Sequence, residues 1–205
     1  MMLLLPKSLL LSFLLLFSGL VHATSSVSLQ PPQQVIASAS ENLLAALKDP
    51  ALSKDIHQIR AFVDKDIFPH VDMVRMSALV LGKHWRKASR PQKSRFITAF
   101  KNLLVNTYSS TFTKQFNDWT VEYFPLTLKS NAKKTVVKTE VHQLGKSSAK
   151  IDYSMVYRNK QWKIYDIKVE GISLVISNRS TFGQLIKQSG NLESVINKLE
   201  TKNPS

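Results

Sequence analysis

Apolar residues recur along this chain with two periods, and the change from one to the other falls near Asn117. Before it the spacing is helical. Val35, Ala39, Leu43 and Leu47 stand four residues apart and predict an amphipathic helix over 33–48. Ile56, Ile59, Val63 and Ile67 predict a second, with Ser53 as its cap, Asp55 in its first turn and Phe68-Pro69 as its end. Asp72 is the expected cap of a short helix carrying Met73, Met76, Leu79 and Val80, and Gly82 its stop. Ser89-Arg90-Pro91-Gln92 has the form of a capping box with proline in the first turn. The helix it opens is long. Phe96, Phe100, Leu103, Leu104, Thr107, Tyr108, Thr111 and Phe112 trace a wide apolar face reaching towards Phe116, with Lys93, Arg95, Lys101, Asn102 and Asn106 opposite.

Beyond Asn117 the period is two. Strands are expected over 120–128, bent or at an edge because of Pro125, then over 134–143 and 149–158, with turns around Gly145 and Asn159-Lys160. The stretch QWKIYDIKVEGISLVISNRSTF, residues 161–182, predicts a strand, a turn at Gly171, a second apolar strand and the start of a helix. Its apolar residues fall in both phases: Trp162 and Ile164 in one, Tyr165, Ile167 and Val169 in the other. A strand with one face in water keeps a single phase, so this one is expected to be covered on both sides for part of its length. Either an ordinary core covers it, or it also walls an apolar cavity. Ser180 is the expected cap of a helix with Phe182, Leu185 and Ile186, stopped at Gly190, and Asn191 that of a last helix with Leu192, Val195, Ile196 and Leu199. Helices, an antiparallel meander and helices again indicate an α+β fold.

The first residues stand outside that pattern. Lys7, the short apolar run 9–20 and Val21-His22-Ala23 have the form of a secretory leader cleaved after Ala23, which leaves a mature domain over 24–205 with its ordered core at about 32–199. There is no cysteine, so disulfides and thiolate chemistry are excluded, and an exported domain of this kind fits a bacterial periplasm. The 205-residue chain carries a net charge of +14. In the cytoplasm that charge suggests nucleic acid; export turns attention to phospholipid headgroups, other envelope phosphates and acidic faces of envelope proteins. Solubility alone is the plainer reason for it.

No catalytic motif is present: no G-x-S-x-G, no H-E-x-x-H and no glycine-rich phosphate loop. His57, His70, His84 and His142 lack ligand-like spacing, so no metal site is expected. Tyr153, Tyr165 and Asp166 are the residues an isomerase-like pocket would use, while Lys163, Lys168 and Arg179 offer Asp166 and Glu170 ordinary ion pairing. Between Asp72 and Asp118 there is no acidic residue, whereas Arg75, Lys83, Arg86, Lys87, Arg90, Lys93, Arg95, Lys101 and Lys114 all fall there. Chance enrichment in a basic protein and a docking surface for an anionic partner are both open readings. Lys83, Arg86, Lys87 and Arg90 are the candidates for such a surface.

The blocks IRAFVDKDIFPHVDMVRMSALVLGKHWRKAS, PQKSRFITAFKNLLVNTY and WKIYDIKVEGISLVISNRSTF, in this order and spacing, resemble the MlaC family, also called the toluene-tolerance family. It is the periplasmic phospholipid-binding component of a system that maintains outer-membrane lipid asymmetry. The resemblance covers about 32–199. It implies an α+β fold with an NTF2-like antiparallel sheet, an apolar pocket between sheet and helices that takes acyl chains and leaves the headgroup outside, and no catalytic residues. It implies a glycerophospholipid as ligand, with no cofactor. Its implied partners are an outer-membrane lipoprotein–porin complex and the MCE-domain ring of an inner-membrane ABC transporter, with only transient membrane contact and no nucleic acid. The matched apolar positions expected to line the pocket are Leu81, Phe96, Phe100, Leu103, Leu104, Tyr108 and Phe112 among the helices. Val137, Val141, Ile151, Tyr153 and Met155 are those of the middle strands. Trp162, Ile164, Ile167, Val169, Ile172, Leu174 and Phe182 complete the set. An NTF2-like enzyme using Asp166 and a plain envelope adaptor are the alternatives.

Overall fold

Side-chain caps fix where the helices begin. The computed structural model describes residues 28–49, 55–115 and 119–203. The leader with its cleavage site, Ser53, Phe116 and Asn117 lie outside them, as do the side chains of Thr111 and Phe112. Helix α1 (Pro31–Leu47) opens on a reciprocal pair: the Gln30 amide donates to Gln33 Oε1 at 2.9 Å. Asp55 caps α2 (Ile56–Phe62), its carboxylate accepting from the His57 amide. The chain then loosens into a π-turn over Val63–Ile67 and tightens into a 3-10 turn over Phe68–His70, so the α-helix stops earlier than its apolar stripe. Asp72 caps α3 (Met73–Leu81) by accepting from the Arg75 amide, and α4 (Lys83–Lys87) follows at once. Between them Gly82 has a φ of 52°, and the Arg179 guanidinium would lie 3.0 Å from any Cβ there, so both backbone and neighbour require glycine. Ser89 and Gln92 exchange the two bonds of a capping box at the start of α5 (Arg90–Gln115).

The strands β1 (Trp119–Tyr123), β2 (Lys134–Gln143), β3 (Ala149–Arg158), β4 (Gln161–Val169) and β5 (Ile172–Ser173) form one antiparallel meander in chain order. β1 is shorter than its pattern and ends before Pro125, which cannot donate to the ladder. The second apolar strand expected after Gly171 is reduced to two residues. Helix α6 (Leu174–Ser189) begins there, well before Ser180, because Ser173 is its cap and accepts from the Ile176 amide at 3.0 Å. The branched Val175 and Ile176 read as strand; the cap overrides them. Helix α7 (Leu192–Lys202) starts on Asn191 as expected.

The two phases of β4 have a local cause. Ser154 pairs with Asp166 and Met155 with Ile164, so Tyr165 is an extra residue, a β-bulge. Crossing it shifts the alternation by one and returns Ile167 to the face that carries Trp162 and Ile164. Both faces of the sheet are nevertheless covered, one by α1 and the other by α3 and α6. Two apolar cores result. The first lies among α3, α5, α6 and α7 and is centred on Phe96, Phe100 and Phe182. The second lies between α1 and the inner face of the sheet: Ile36, Val137, Met155, Trp162 and Ile164, with Val35, Leu128, Tyr153 and Ile167 against them.

Candidate functional site

The expected lining residues divide between these two cores. In the helical core Phe96 stacks on Phe100 at 5.7 Å, and the Phe182 ring meets both edge-on at 5.3 and 5.8 Å. Phe96 and Phe100 are 0 % exposed, and Leu81 is buried beside them, with Leu103 and Leu104 packed on the cluster. On this part of α5 the apolar face packs against α3, α6 and α7. Tyr108 is half-buried.

The sheet residues fare differently. Val137, Tyr153, Met155, Trp162, Ile164 and Ile167 share the inner face under α1, with buried Val141 and half-buried Ile151 on the same face by register. Val169 is 40 % exposed and Ile172 66 % exposed; they flank the Glu170-Gly171 turn. Leu174 belongs to the first turn of α6. Inside the seam Thr139 Oγ1 donates to the Ile151 carbonyl. Burial pushes the Tyr153 phenol up to about 12, and Tyr123 adds to that shift against an opposing hydrogen bond with Thr139. The group stays protonated in the physiological range and offers no base.

At one end this seam opens into a cleft of about 640 Å³. Its walls are the start of α1, the Phe68–His70 turn, the irregular chain before β2 and the β3–β4 hairpin. The floor is apolar: Val35, Leu128, Ala132 and Trp162, all four also members of the seam. Around it stand Lys129, Lys133, Lys160, Lys163 and His70, and no carboxylate lines it. Lys163 Nζ donates to the Pro69 carbonyl at 2.6 Å, and Lys133 lies 5.1 Å from the Tyr157 ring centre. Lys129 and Lys160 have no acidic partner among the described residues. Burial, and after it Lys163, holds the His70 imidazole below its usual range, with Asp66 opposing.

Most of this cleft was invisible in the pattern of apolar residues. Its lysines come from one irregular segment and a hairpin, with His70 from the turn before α3, and only the fold brings them together. The available signal was the basic clustering of Lys129, Lys133 and Lys134 running into β2 and of Lys160 and Lys163 on either side of Trp162.

The trio suited to an enzyme is separated. Tyr153 faces α1, whereas Asp166 pairs with Ser154 on the opposite face. The Asp166 carboxylate accepts from Ser173 Oγ at 2.7 Å and from the Val175 amide at 3.0 Å, which holds the start of α6. Arg75 stacks over the bulged Tyr165 ring at 4.7 Å.

Of the acid-free basic span, the Lys114 side chain lies outside the described residues. Arg95 pairs with Glu193 and Glu200, Lys101 with Asp64, Lys93 lies over Trp85, and Arg75 is on Tyr165. Lys83, Arg86, Lys87 and Arg90 are exposed and have no ion pair among the described residues. They lie on α4 and the start of α5, and none of them lines the cleft. Among the described residues no group of His, Asp and Glu is arranged to hold a metal, and no helix is long and apolar enough to cross a membrane.

An apolar seam that ends in a cation-rimmed mouth fits an amphiphile: a greasy body and an anionic head. The comparisons with known proteins agree with that class. The family model described as MlaC protein matches residues 37–201, and the chain belongs to this family. It is 20 % identical over 173 residues to the intermembrane phospholipid transport system binding protein MlaC of Haemophilus influenzae, a match covering 82 % of this chain and 80 % of that one. Its fold matches the phospholipid-binding protein of Ralstonia solanacearum, solved in complex with a phospholipid, with a TM-score of 0.79, 26 % identity, and coverage of 85 % of this chain and 97 % of the other.

Proposed function

We propose that this protein is a periplasmic phospholipid carrier. It shields acyl chains in the seam between α1 and the inner sheet face, holds the headgroup at the cleft, and shuttles lipid between the two membranes of the envelope to maintain outer-membrane asymmetry. The observation that carries the reading is the continuity of the cleft floor with the apolar seam, in a chain of the MlaC family.

The energetics set the mode of transfer. A two-chain lipid has roughly 30 methylene-type groups at ~0.8 kcal/mol each, so exposing both chains to water costs on the order of 20 kcal/mol. Spontaneous release is far too slow, and lipid has to pass through a docked complex with a continuous apolar path. Carrier and bilayer are both apolar, so the exchange itself is close to balanced and its direction is set by partners. The partners we infer are an outer-membrane lipoprotein–porin complex and the MCE-domain ring of an inner-membrane ABC transporter.

Protein purified without detergent should therefore release about one equivalent of phospholipid on organic extraction, read by mass spectrometry; protein free of lipid would refute the proposal. Docking is tested apart from binding. Reversing charge at Arg86, Lys87 and Arg90 together should slow transfer to membranes or partner complexes several-fold at low salt, with lipid content unchanged. Rim charges act mainly on association rates. Equal transfer rates in the triple variant would remove α4 as the docking surface.

A further inference from the structure

We propose that the lysine-rimmed cleft reads the headgroup, so that the protein selects phospholipids of net negative headgroup charge over zwitterionic ones. The inference rests on the carrier reading and names what that site prefers. It starts from the imbalance of charge at the mouth: four ammonium groups and an imidazole, with no carboxylate among the lining residues. Most surface lysines on a mixed surface have acids interspersed with them. Here the acids near the site are turned to other work. Asp66 acts on His70, and Asp72 caps α3 and pairs with Arg158 at 3.5 Å.

A second observation comes from the backbone. The β3–β4 hairpin turns on Asn159 and Lys160, with φ of 51° and 61°. A two-residue turn of this kind favours glycine at its second position, where a side chain is strained. The two-residue turn between β4 and β5 does use glycine there, at Glu170-Gly171, with φ of 49° and 79°. Lysine at position 160 therefore occupies a site where local structure favours glycine, and it lies on the cleft. Strain kept at one position and not at its counterpart points to a role for the side chain.

The cleft also supplies the right division of labour. Lys163 is anchored on the Pro69 carbonyl and Lys133 lies over Tyr157, so these two have fixed positions at the wall. Lys129, in the chain before β2, and Lys160, in the β3–β4 hairpin, line the cleft from different segments without acidic partners among the described residues, which leaves both ammonium groups available to a phosphate diester. Every phospholipid offers that diester. A zwitterionic headgroup also brings its own ammonium into a mouth already crowded with cations, and a headgroup of net negative charge does not.

The test uses the intact mature protein and the variant Lys129→Gln/Lys160→Gly. Each is exchanged at about 0.1 M salt, where exposed charges still act over a Debye length of ~10 Å, with vesicles of equal parts isotope-labelled phosphatidylglycerol and phosphatidylethanolamine. Bound lipid is extracted and counted by mass spectrometry. Unaltered protein should enrich phosphatidylglycerol several-fold over the vesicle ratio. The double variant should return towards that ratio, an effect of up to about fivefold per amine removed. Its melting midpoint should not fall, since glycine suits the turn. Uptake by unaltered protein in the vesicle ratio overturns the preference, as does undiminished enrichment in the variant. Loss of co-sedimentation with anionic vesicles without any change in bound-lipid ratio would also overturn it, because the lysines would then be touching a bilayer and not cargo. Labelled lipid absent from both proteins would overturn the carrier reading itself.

Discussion

Replacing Ala132 by Trp should lower lipid occupancy by at least tenfold without unfolding the protein. Ala132 is half-buried on the floor of the cleft, beside Trp162 and Leu128, where the seam opens. Its backbone amide closes a turn onto the Lys129 carbonyl at 3.0 Å, so the backbone there is already fixed. An indole at this point projects into space that is open in a 640 Å³ cleft and displaces no core side chain. Each methylene excluded from the site forfeits ~0.8 kcal/mol, and two of them suffice for about a tenfold loss. Lipid per protein after exchange with vesicles, together with the melting midpoint, checks the prediction. Full lipid content in the Trp variant would place the acyl chains somewhere else.

Replacing Phe96 by Ala has the converse effect. The ring is wholly buried, stacked on Phe100 and met edge-on by Phe182, so its loss leaves a void that neighbours cannot fill. Such truncations cost about 3–5 kcal/mol. That is a large share of the ~5–15 kcal/mol that holds an ordinary domain together. The denaturant midpoint should drop accordingly, while the folded fraction keeps its lipid. A Phe96→Ala protein of normal stability that had lost its lipid would mean that α5 walls the pocket after all.

These two substitutions separate what the sequence pattern leaves joined. Apolar periodicity places Phe96 and Phe100 on a buried helix face, but it carries no information about which surface they meet. The decision is made by α6, which begins at Leu174 because Ser173 and Asp166 together satisfy its first amides. That brings Phe182 onto α5 and closes the helical core. Caps are local in sequence, and so Asp72, the Ser89–Gln92 pair and Asn191 are legible from it. The bulge at Tyr165 is not, because it is a property of the pairing with β3. Without the bulge, the two apolar phases of β4 suggest two apolar walls; with it, Trp162, Ile164 and Ile167 share one. In the structure the sheet residues named for the pocket gather under α1, Phe96, Phe100 and Phe182 pack on one another among the helices, and Val169 and Ile172 are exposed. Family resemblance supplies the ligand class. The lysines of the mouth are assembled only in three dimensions, from segments that carry no motif.

A crystal structure of the protein as purified, with its co-purified lipid exchanged for a bromine-labelled phospholipid, tests the central claim most directly. Anomalous peaks should lie along the seam between α1 and the inner sheet face, near Ile36, Met155 and Trp162, with the phosphate at the lysine-rimmed cleft. Bromine among Phe96, Phe100 and Phe182, or a seam closed over its own side chains with no lipid in it, would contradict the account.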